Sequence, residues 1–378
     1  MDEMTPRERI LATLYGDRAD RLPFFHWWRH SQIGWAEREC RNRGMGMCWL
    51  RPCHIMTMEN VDRTEAQDTS TGRVVQRRIY HTPVGSIYLD EKREPGVEEW
   101  HGLRSWRDVS PWQIDRLIKK PEDYEVLKYM IEHTTYTPYY FPIEQAEEWL
   151  GGDGLVIASL PHTPMQMLMI DWIGSEGGRF YIHHAKYRDE IEELYEALCK
   201  SREPLYEIAA RSPAEVVMCG DNIDGLLVNP RLFEKYFMPV YENCAEILHE
   251  QGKLMAVHMD GRINVLKDLV AKTPIDIIEA LHPPPMGDLP VSDALSRWKQ
   301  KVIWMGYPGS VYTLGPEAVK KHTLTLLRSI VPGDRLCVEM STENLVSNEN
   351  LLTLTSILEN AALPLTETTI DHIEQSVT

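Results

Sequence analysis

The stretch from Leu254 to His282, LMAVHMDGRINVLKDLVAKTPIDIIEALH, constrains this chain more than any other. It reads as strand, loop, helix, strand. Leu254–Val257 is apolar with a β-branched end, and His258-Met259-Asp260-Gly261 follows at once. Side chains two apart on a strand share a face, so His258 and Asp260 point the same way. Ile263–Ala271 has helical spacing, with Val265, Leu266, Leu269 and Val270 on one side. Asp276–Leu281 is a second short apolar run and carries Glu279. A charge inside a buried strand is costly unless it is paired or holds a metal. Parallel strands joined by a helix end at one rim, where α/β enzymes keep their chemistry. His258, Asp260 and Glu279 therefore converge in this reading. The alternative is a capping His, a turn Asp and a salt-bridged Glu.

The rest of the chain repeats the pattern. Thr5-Pro6-Arg7-Glu8 is a capping box with Pro at the first helical position, and Gly16 closes that helix. Arg21–Phe25 reads as a first strand. Residues 27–62, rich in Trp, Met, Cys and Gly, read as short helices and loops with room for one strand. Arg73–Tyr80 and Ser86–Leu89 form a β-hairpin through Thr82-Pro83-Val84-Gly85. Helices are expected over Ser110–Lys119, Pro121–His133 and Pro142–Leu150. From there strands Leu155–Leu160, Val216–Cys219, Leu254–Val257, Asp276–Leu281, Val302–Met305 and Leu336–Met340 alternate with helices Pro164–Ile173, Asp189–Arg211, Asn229–Gly252 (broken at Pro239), Ile263–Ala271, Pro316–Ile330 and Ser347–Asn360. The tail beyond Pro364 is polar and is expected to be loose. One strand within 45–60 would bring the count to eight. Such alternation implies a parallel sheet, and no GxGxxG turn marks a dinucleotide fold. The expected fold is a (β/α)8 TIM barrel with an N-terminal helical and β-hairpin insertion. No linker splits it, so residues 1–378 are expected to form one domain, with 27–105 as a rim or lid insertion.

With 378 residues, 43% hydrophobic and 26% charged, the chain can bury a large core. A net charge of −17 argues against nucleic-acid binding. No apolar run reaches the length of a membrane span and the N-terminus MDEMTPRERI is charged, so the expectation is a cytoplasmic protein with no membrane partner. Seven Cys without a CxxC do not make a disulfide framework.

The polar residues at strand ends form a set: His162, Asp221, Asn222, His258, Asp260, Glu279, Tyr307, and Cys337 or Glu339. Barrel logic places them around one mouth. Each also has a plainer reading. His162 precedes a helix cap, Asp221-Asn222 is a turn pair, and Cys337 is an ordinary buried strand Cys. His282, ahead of three prolines, reads as structural. A His with two or three carboxylates or thiolates from separate strands is a candidate Zn2+ site with an open position.

Several segments resemble the uroporphyrinogen decarboxylase superfamily, and within it the corrinoid-dependent methyltransferases, nearest to the component that demethylates methyl ethers. They are Met4–Leu11 with Asp20-Arg21-Leu22-Pro23, Thr82-Pro83-Val84-Gly85, Gly220-Asp221-Asn222 with Asn229–Phe233, and His258-Met259-Asp260-Gly261 with Glu279 and Pro284–Asp288. The resemblance covers nearly the whole chain and implies a (β/α)8 barrel. True decarboxylases carry Arg-Gln-Ala-Gly-Arg-Tyr near the N-terminus, to meet a substrate rich in carboxylates. Here that region reads Trp28–Gly34, and Arg29 alone could stand in. The methyltransferase branch holds zinc through His-x-Cys and a later Cys. His258 matches the His, Asp260 replaces the first Cys, and Cys337 or Glu339 lies near the second.

Oxygen and nitrogen ligands leave zinc a harder Lewis acid, suited to polarising an ether oxygen. The resemblance thus implies a zinc-dependent methyltransferase acting on a methoxylated, aromatic small molecule, with cob(I)alamin carried by a partner corrinoid protein. No Asp-x-His-x-x-Gly corrinoid motif occurs in this chain itself. The expected metal ligands are His258 and Glu279, then Asp260 and Glu339. His258, Glu279 and Asp260 are the expected catalytic set. Asn222, Asp221, His162 and Tyr307 are expected around the substrate. The hairpin and residues 27–62 are the expected docking rim. Two alternatives stay open: transfer from the methyl-corrinoid to tetrahydrofolate or a thiol, which needs Cys337 as a ligand, and a metal-free lyase of the decarboxylase type. A homodimer also stays open.

Overall fold

The computed structural model describes residues 3–68, 70, 74–93, 112–342 and 346–377. They fall into two compact units: Met1–Pro52 with Tyr140–Leu160 and Ser212–Thr378, and Cys53–Tyr139 with Pro161–Arg211.

The first unit is built on a closed eight-stranded parallel barrel, a (β/α)8 TIM barrel. Its strands are β1 (Phe24–Trp27), β2 (Gly46–Pro52), β3 (Gly154–Leu160), β4 (Val216–Cys219), β5 (Leu254–His258), β6 (Ile277–Leu281), β7 (Val302–Gly306) and β8 (Leu336–Glu339). Neighbours in sequence are neighbours in the barrel, and β1 closes it by pairing with both β2 and β8. The eighth strand sought in 45–60 is β2. The first strand lies further along than Arg21–Phe25 suggested, because Trp27 pairs with Cys48 while Arg21 makes only an isolated antiparallel bridge to Ala362.

The interior is filled by alternate residues of each strand. Phe25, Trp27, Cys48, Leu155, Ile157, Val216, Met218, Ala256, Ile277, Trp304 and Cys337 form one buried cluster. Phe25, Trp27 and Trp304 meet edge to face, with centroids 5.0–6.1 Å apart. His258, Glu279, Gly306 and Glu339 each stand two residues beyond a member of this cluster. They therefore form the next layer up, at the C-terminal ends of the strands.

The second unit holds a four-stranded antiparallel sheet of Asp62–Asp68, Val74–Thr82, Gly85–Arg93 and Trp112–Asp115. It also holds a ribbon of His54–Met58 with Thr134–Pro138, and helices Glu122–Glu132, Arg179–Lys186 and Arg188–Ala210. The expected hairpin is present in longer form, and its Arg73 lies outside the described residues. Residues 94–105 of the expected rim insertion also lie outside them.

Two expectations are corrected. The helix expected over Ser110–Lys119 is a strand, Trp112–Asp115, paired with Gly85–Arg93; residues 110 and 111 lie outside the described residues. Pairing to an existing sheet edge overrode a weak local helical pattern. The tail beyond Pro364 is a helix, Glu367–Ser376. Thr366 caps it by accepting from the Thr369 amide, and Ile370 and Ile373, three apart, are buried.

Among the described residues, two helices carry π turns. Pro164–Met167 runs into a π turn at Leu168–Trp172, and the helix begun at Pro230 passes through one at Phe233–Phe237, just before Pro239. The missing proline amide explains the second. Among the described residues no helix is long and apolar enough to cross a membrane.

Candidate functional site

His258 is the last residue of β5 and stands level with Glu279 of β6. Its Nδ1 is hydrogen-bonded to Glu279 Oε2, and its Nε2 faces Asp260 Oδ2 at 3.5 Å. The strand ends at His258, so Asp260 lies on the following loop, yet it still meets the ring. Burial alone would push the imidazole down. The Glu279 and Asp260 carboxylates outweigh it and hold His258 well above the usual histidine range.

Glu279 and Glu339 are both buried, at 1% and 7% exposure, and are hydrogen-bonded to each other. Two like charges this close and this dry cannot both ionise. Burial, then the Glu279 charge, pushes Glu339 well above the usual carboxyl range. Burial also works against ionised Glu279, but the His258 charge prevails and holds it low. The indole N–H of Trp27 donates to Glu279 Oε1 at 3.2 Å. Glu339 Oε2 has no hydrogen-bond partner among the described residues. Burial works against ionised Asp260 too, and its hydrogen bond to His258 lowers it.

Two residues outside the expected set belong to this site. Arg29, exposed on the turn after β1, adds a positive field that lowers both Glu279 and Glu339. His282, read from sequence as structural, lies against β7: a Cβ on Gly306 would stand 2.5 Å from its Nε2. Its ring also interacts by charge with Asp260. A His one residue beyond a strand that carries a buried Glu was the available signal. The backbone beside Glu279 is strained, with Ala280 at φ +59° where the register of β6 against β7 shifts.

Others of the expected residues meet partners of their own. Tyr307 is fully buried and turned outward, its hydroxyl meeting Val319 O at 3.2 Å and Thr323 Oγ1 at 3.0 Å on the helix Pro316–Ser329. Asp221 is buried and accepts from Tyr241 at 2.8 Å, tying its loop to the helix Met238–Glu250. Asn222, next to it, is half-buried. Cys337 sits one layer beneath Glu339 in the barrel core, and burial pushes its thiol up. His162 belongs to the second unit, where its Nδ1 meets Asp171 Oδ2 at 2.8 Å.

The donor chemistry, one imidazole with carboxylates, fits zinc. Two ligands at ordinary zinc distances on a tetrahedral ion stand about 3.4 Å apart, close to the His258–Asp260 separation. A carboxylate on the other ring nitrogen, as Glu279 supplies here, orients a ligating histidine. Among the described residues, however, no three His, Cys, Asp or Glu side chains converge on one point as they stand.

The barrel and its polar rim define the chain as a (β/α)8 protein with its candidate site at the C-terminal mouth. No protein-family model and no curated protein matches it. Solved structures resemble it at low identity. A methyltransferase from Methanosarcina mazei superposes with a TM-score of 0.54 over 98% of this chain and 99% of its own, at 11% identity. A B12-independent methionine synthase from Shewanella, in complex with selenomethionine, gives 0.38 over 79% and 76%, at 14% identity. A Bacteroidetes-affiliated cellulase gives 0.39 over 64% and 80%, at 10% identity. At 11% identity the likeness to the Methanosarcina protein is one of fold.

Proposed function

We propose that this chain is a zinc-dependent methyltransferase that moves a methyl group from a methoxylated aromatic compound to cob(I)alamin carried by a corrinoid protein. The observation that carries the reading is His258, held through Nδ1 by Glu279 while its Nε2 faces Asp260 at the barrel mouth. The Methanosarcina protein that shares the fold over nearly the whole chain is a methyltransferase, and this supports the reading. His258 through Nε2 and Asp260 would hold the zinc, with Glu339, whose Oε2 has no hydrogen-bond partner among the described residues, as a further candidate. When bound, the ion supplies Lewis-acid polarisation of the ether oxygen.

Glu279 keeps His258 oriented, and Trp27 keeps Glu279 in place. Glu339 holds a proton at the mouth, available to the phenolate oxygen that receives the electron pair when the methyl–oxygen bond breaks. Cys337, buried one layer below, weighs against the alternative that passes a methyl group to a thiol. The lone Arg29 weighs against a decarboxylase.

The test is elemental analysis of the purified protein beside His258→Ala and Asp260→Ala, followed by methyl transfer from a panel of methoxyarenes to reduced cobalamin. Zinc that is lost in both variants, together with activity in the wild type, is the expected result. A protein that binds no zinc after reconstitution overturns the reading.

A further inference from the structure

A cavity of about 310 Å³ lies on the outside of the barrel, against β2. Met47 and Trp49 line it. They alternate along the strand with Cys48, which belongs to the core, so both face outward. Arg41 reaches the cavity from the helix Trp35–Asn42, and Trp149 from the helix Phe141–Leu150. Trp28, just after β1, and Asp153, just ahead of β3, complete the wall. Neither His258 nor Glu279 lines it.

The walls are largely indole rings. Trp28 stacks on Trp49 with centroids 4.8 Å apart and planes inclined by 29°, and Trp149 lies 5.8 Å from Trp49 at 30°. Trp49 is 9% exposed, whereas Trp28 is 39% and Trp149 61% exposed. Three rings so nearly parallel, two of them open to solvent, offer flat apolar faces to a flat guest. The charged side chains of the lining, Arg41 and Asp153, are 3.6 Å apart and paired to each other. Among the described residues no hydroxyl or amide side chain joins them, so the lining has little to offer a polyol such as a sugar. Arg51 stands two residues beyond Trp49 on the same face of β2 and holds its guanidinium 3.6 Å from the centroid of the Trp49 ring. It is half-buried, and among the described residues no hydrogen bond or ion pair engages it. Burial pulls its pKa down, and no neighbouring carboxylate pulls it back.

We propose that this cavity binds a small planar aromatic carboxylate, with its ring against the indole faces and its carboxylate on Arg51. A guanidinium drawn partly out of water without a counter-charge favours an anion and disfavours a cation. Its planar fork matches a carboxylate, and stacking on Trp49 restricts its orientation in advance. The volume lies at the small end of ligand sites, which suits one or two fused rings. The site shares no lining residue with the cluster at the barrel mouth, so occupation of one does not require the other.

The experiment titrates naphthoate into wild type, Trp149→Ala, Arg51→Gln and His258→Ala by isothermal calorimetry. Naphthoate has no methoxy group to transfer. Cyclohexanecarboxylate keeps the charge without the flat ring, and naphthamide keeps the ring without the charge. Thermal melts confirm that the variants fold; Trp149 and Arg51 both reach solvent, so each replacement spares the core. The expected result is saturable binding of naphthoate to wild type and equally to His258→Ala, with Kd raised about ten-fold or more in Trp149→Ala. Arg51→Gln should raise Kd for naphthoate by a similar factor and leave naphthamide as in wild type. No binding of naphthoate to wild type at millimolar concentration overturns the proposal. Cyclohexanecarboxylate bound as tightly as naphthoate also overturns it, since the flat ring would then go unrecognised. Binding that is lost in His258→Ala but untouched by Trp149→Ala and Arg51→Gln overturns it as well, because the ligand would then sit at the barrel mouth.

Discussion

The Trp27 indole N–H and His258 Nδ1 meet opposite oxygens of one carboxylate, Glu279. β1 and β6 are separated in the barrel by β8 and β7, so the bond from Trp27 spans the interior. Glu279 is thereby fixed behind the histidine, and the other ring nitrogen is turned toward Asp260. This arrangement gives Glu279 an orienting role. Glu279→Gln should weaken zinc binding by about 10- to 100-fold while full occupancy remains reachable at high zinc. His258→Ala should not be filled at all. Competition against a chromophoric chelator reads both, and a Glu279→Gln protein with wild-type affinity would refute the orienting role.

Glu339 makes the opposite kind of contribution. Burial and the Glu279 charge raise its carboxyl well above its ordinary value, so the folded state keeps a proton that the unfolded chain releases above about pH 4.5. The folded carboxyl therefore costs stability at neutral pH, and that cost vanishes as pH falls to the unfolded value. Glu339→Gln keeps a neutral amide there and should melt higher than wild type at pH 7, with the gain shrinking toward pH 4.5. The same variant should lose methyl transfer, because an amide has no proton to give. Melting curves across that range decide it: a lower melting point at pH 7 would count against a protonated Glu339.

His26 gives a clean pH signature for folding. It is buried on β1, with Nδ1 3.0 Å from the Trp27 carbonyl, and burial pushes it down from 6.5 to about 4. Between pH 6.5 and 4 the unfolded chain takes up a proton that the folded chain refuses. Stability is therefore complete above pH 6.5 and falls as pH drops through that window, by about 3 kcal/mol in all for a shift of this size. His26→Gln should flatten the dependence there. Denaturant melts at pH 7, 5.5 and 4 would show an unchanged slope if the assignment is mistaken.

The barrel was legible because its strands are short apolar runs bounded by Gly, Pro and Asp, a pattern that packing reinforces. Val216–Cys219 appeared with the bounds that the sequence suggested. His258, Glu279 and Asp260 were found together because strand alternation and parallel order carry that information. Glu339 was found as the inward neighbour of Cys337, although the relative depth of the two is a matter of layers that sequence does not number. Tyr307 was assigned to the mouth from its place after β7, but the strand extends to Gly306 and the next side chain turns to the helix. Trp112–Asp115 and the helix Glu367–Ser376 depended on partners distant in sequence, which local periodicity does not encode.

The pairing of β2 with β3 is unusually close at one point. Gly154 stands opposite Met47, and a Cβ built there would lie 1.7 Å from the Met47 carbonyl oxygen. The clash is with backbone, so no rotamer change relieves it. Gly154→Ala must either part the two strands at their first pair or shift the register that sets Cys48 beside Leu155 in the core. Overpacking of this kind costs about 3 kcal/mol or more. Gly16→Ala is the control. Gly16 has φ +81° and, among the described residues, nothing within 4 Å of its added Cβ, so only the left-handed backbone is penalised, at about 1 kcal/mol. Chemical denaturation of the two variants should rank them in that order. A Gly154→Ala protein as stable as Gly16→Ala would mean that β2 and β3 are less tightly apposed than described.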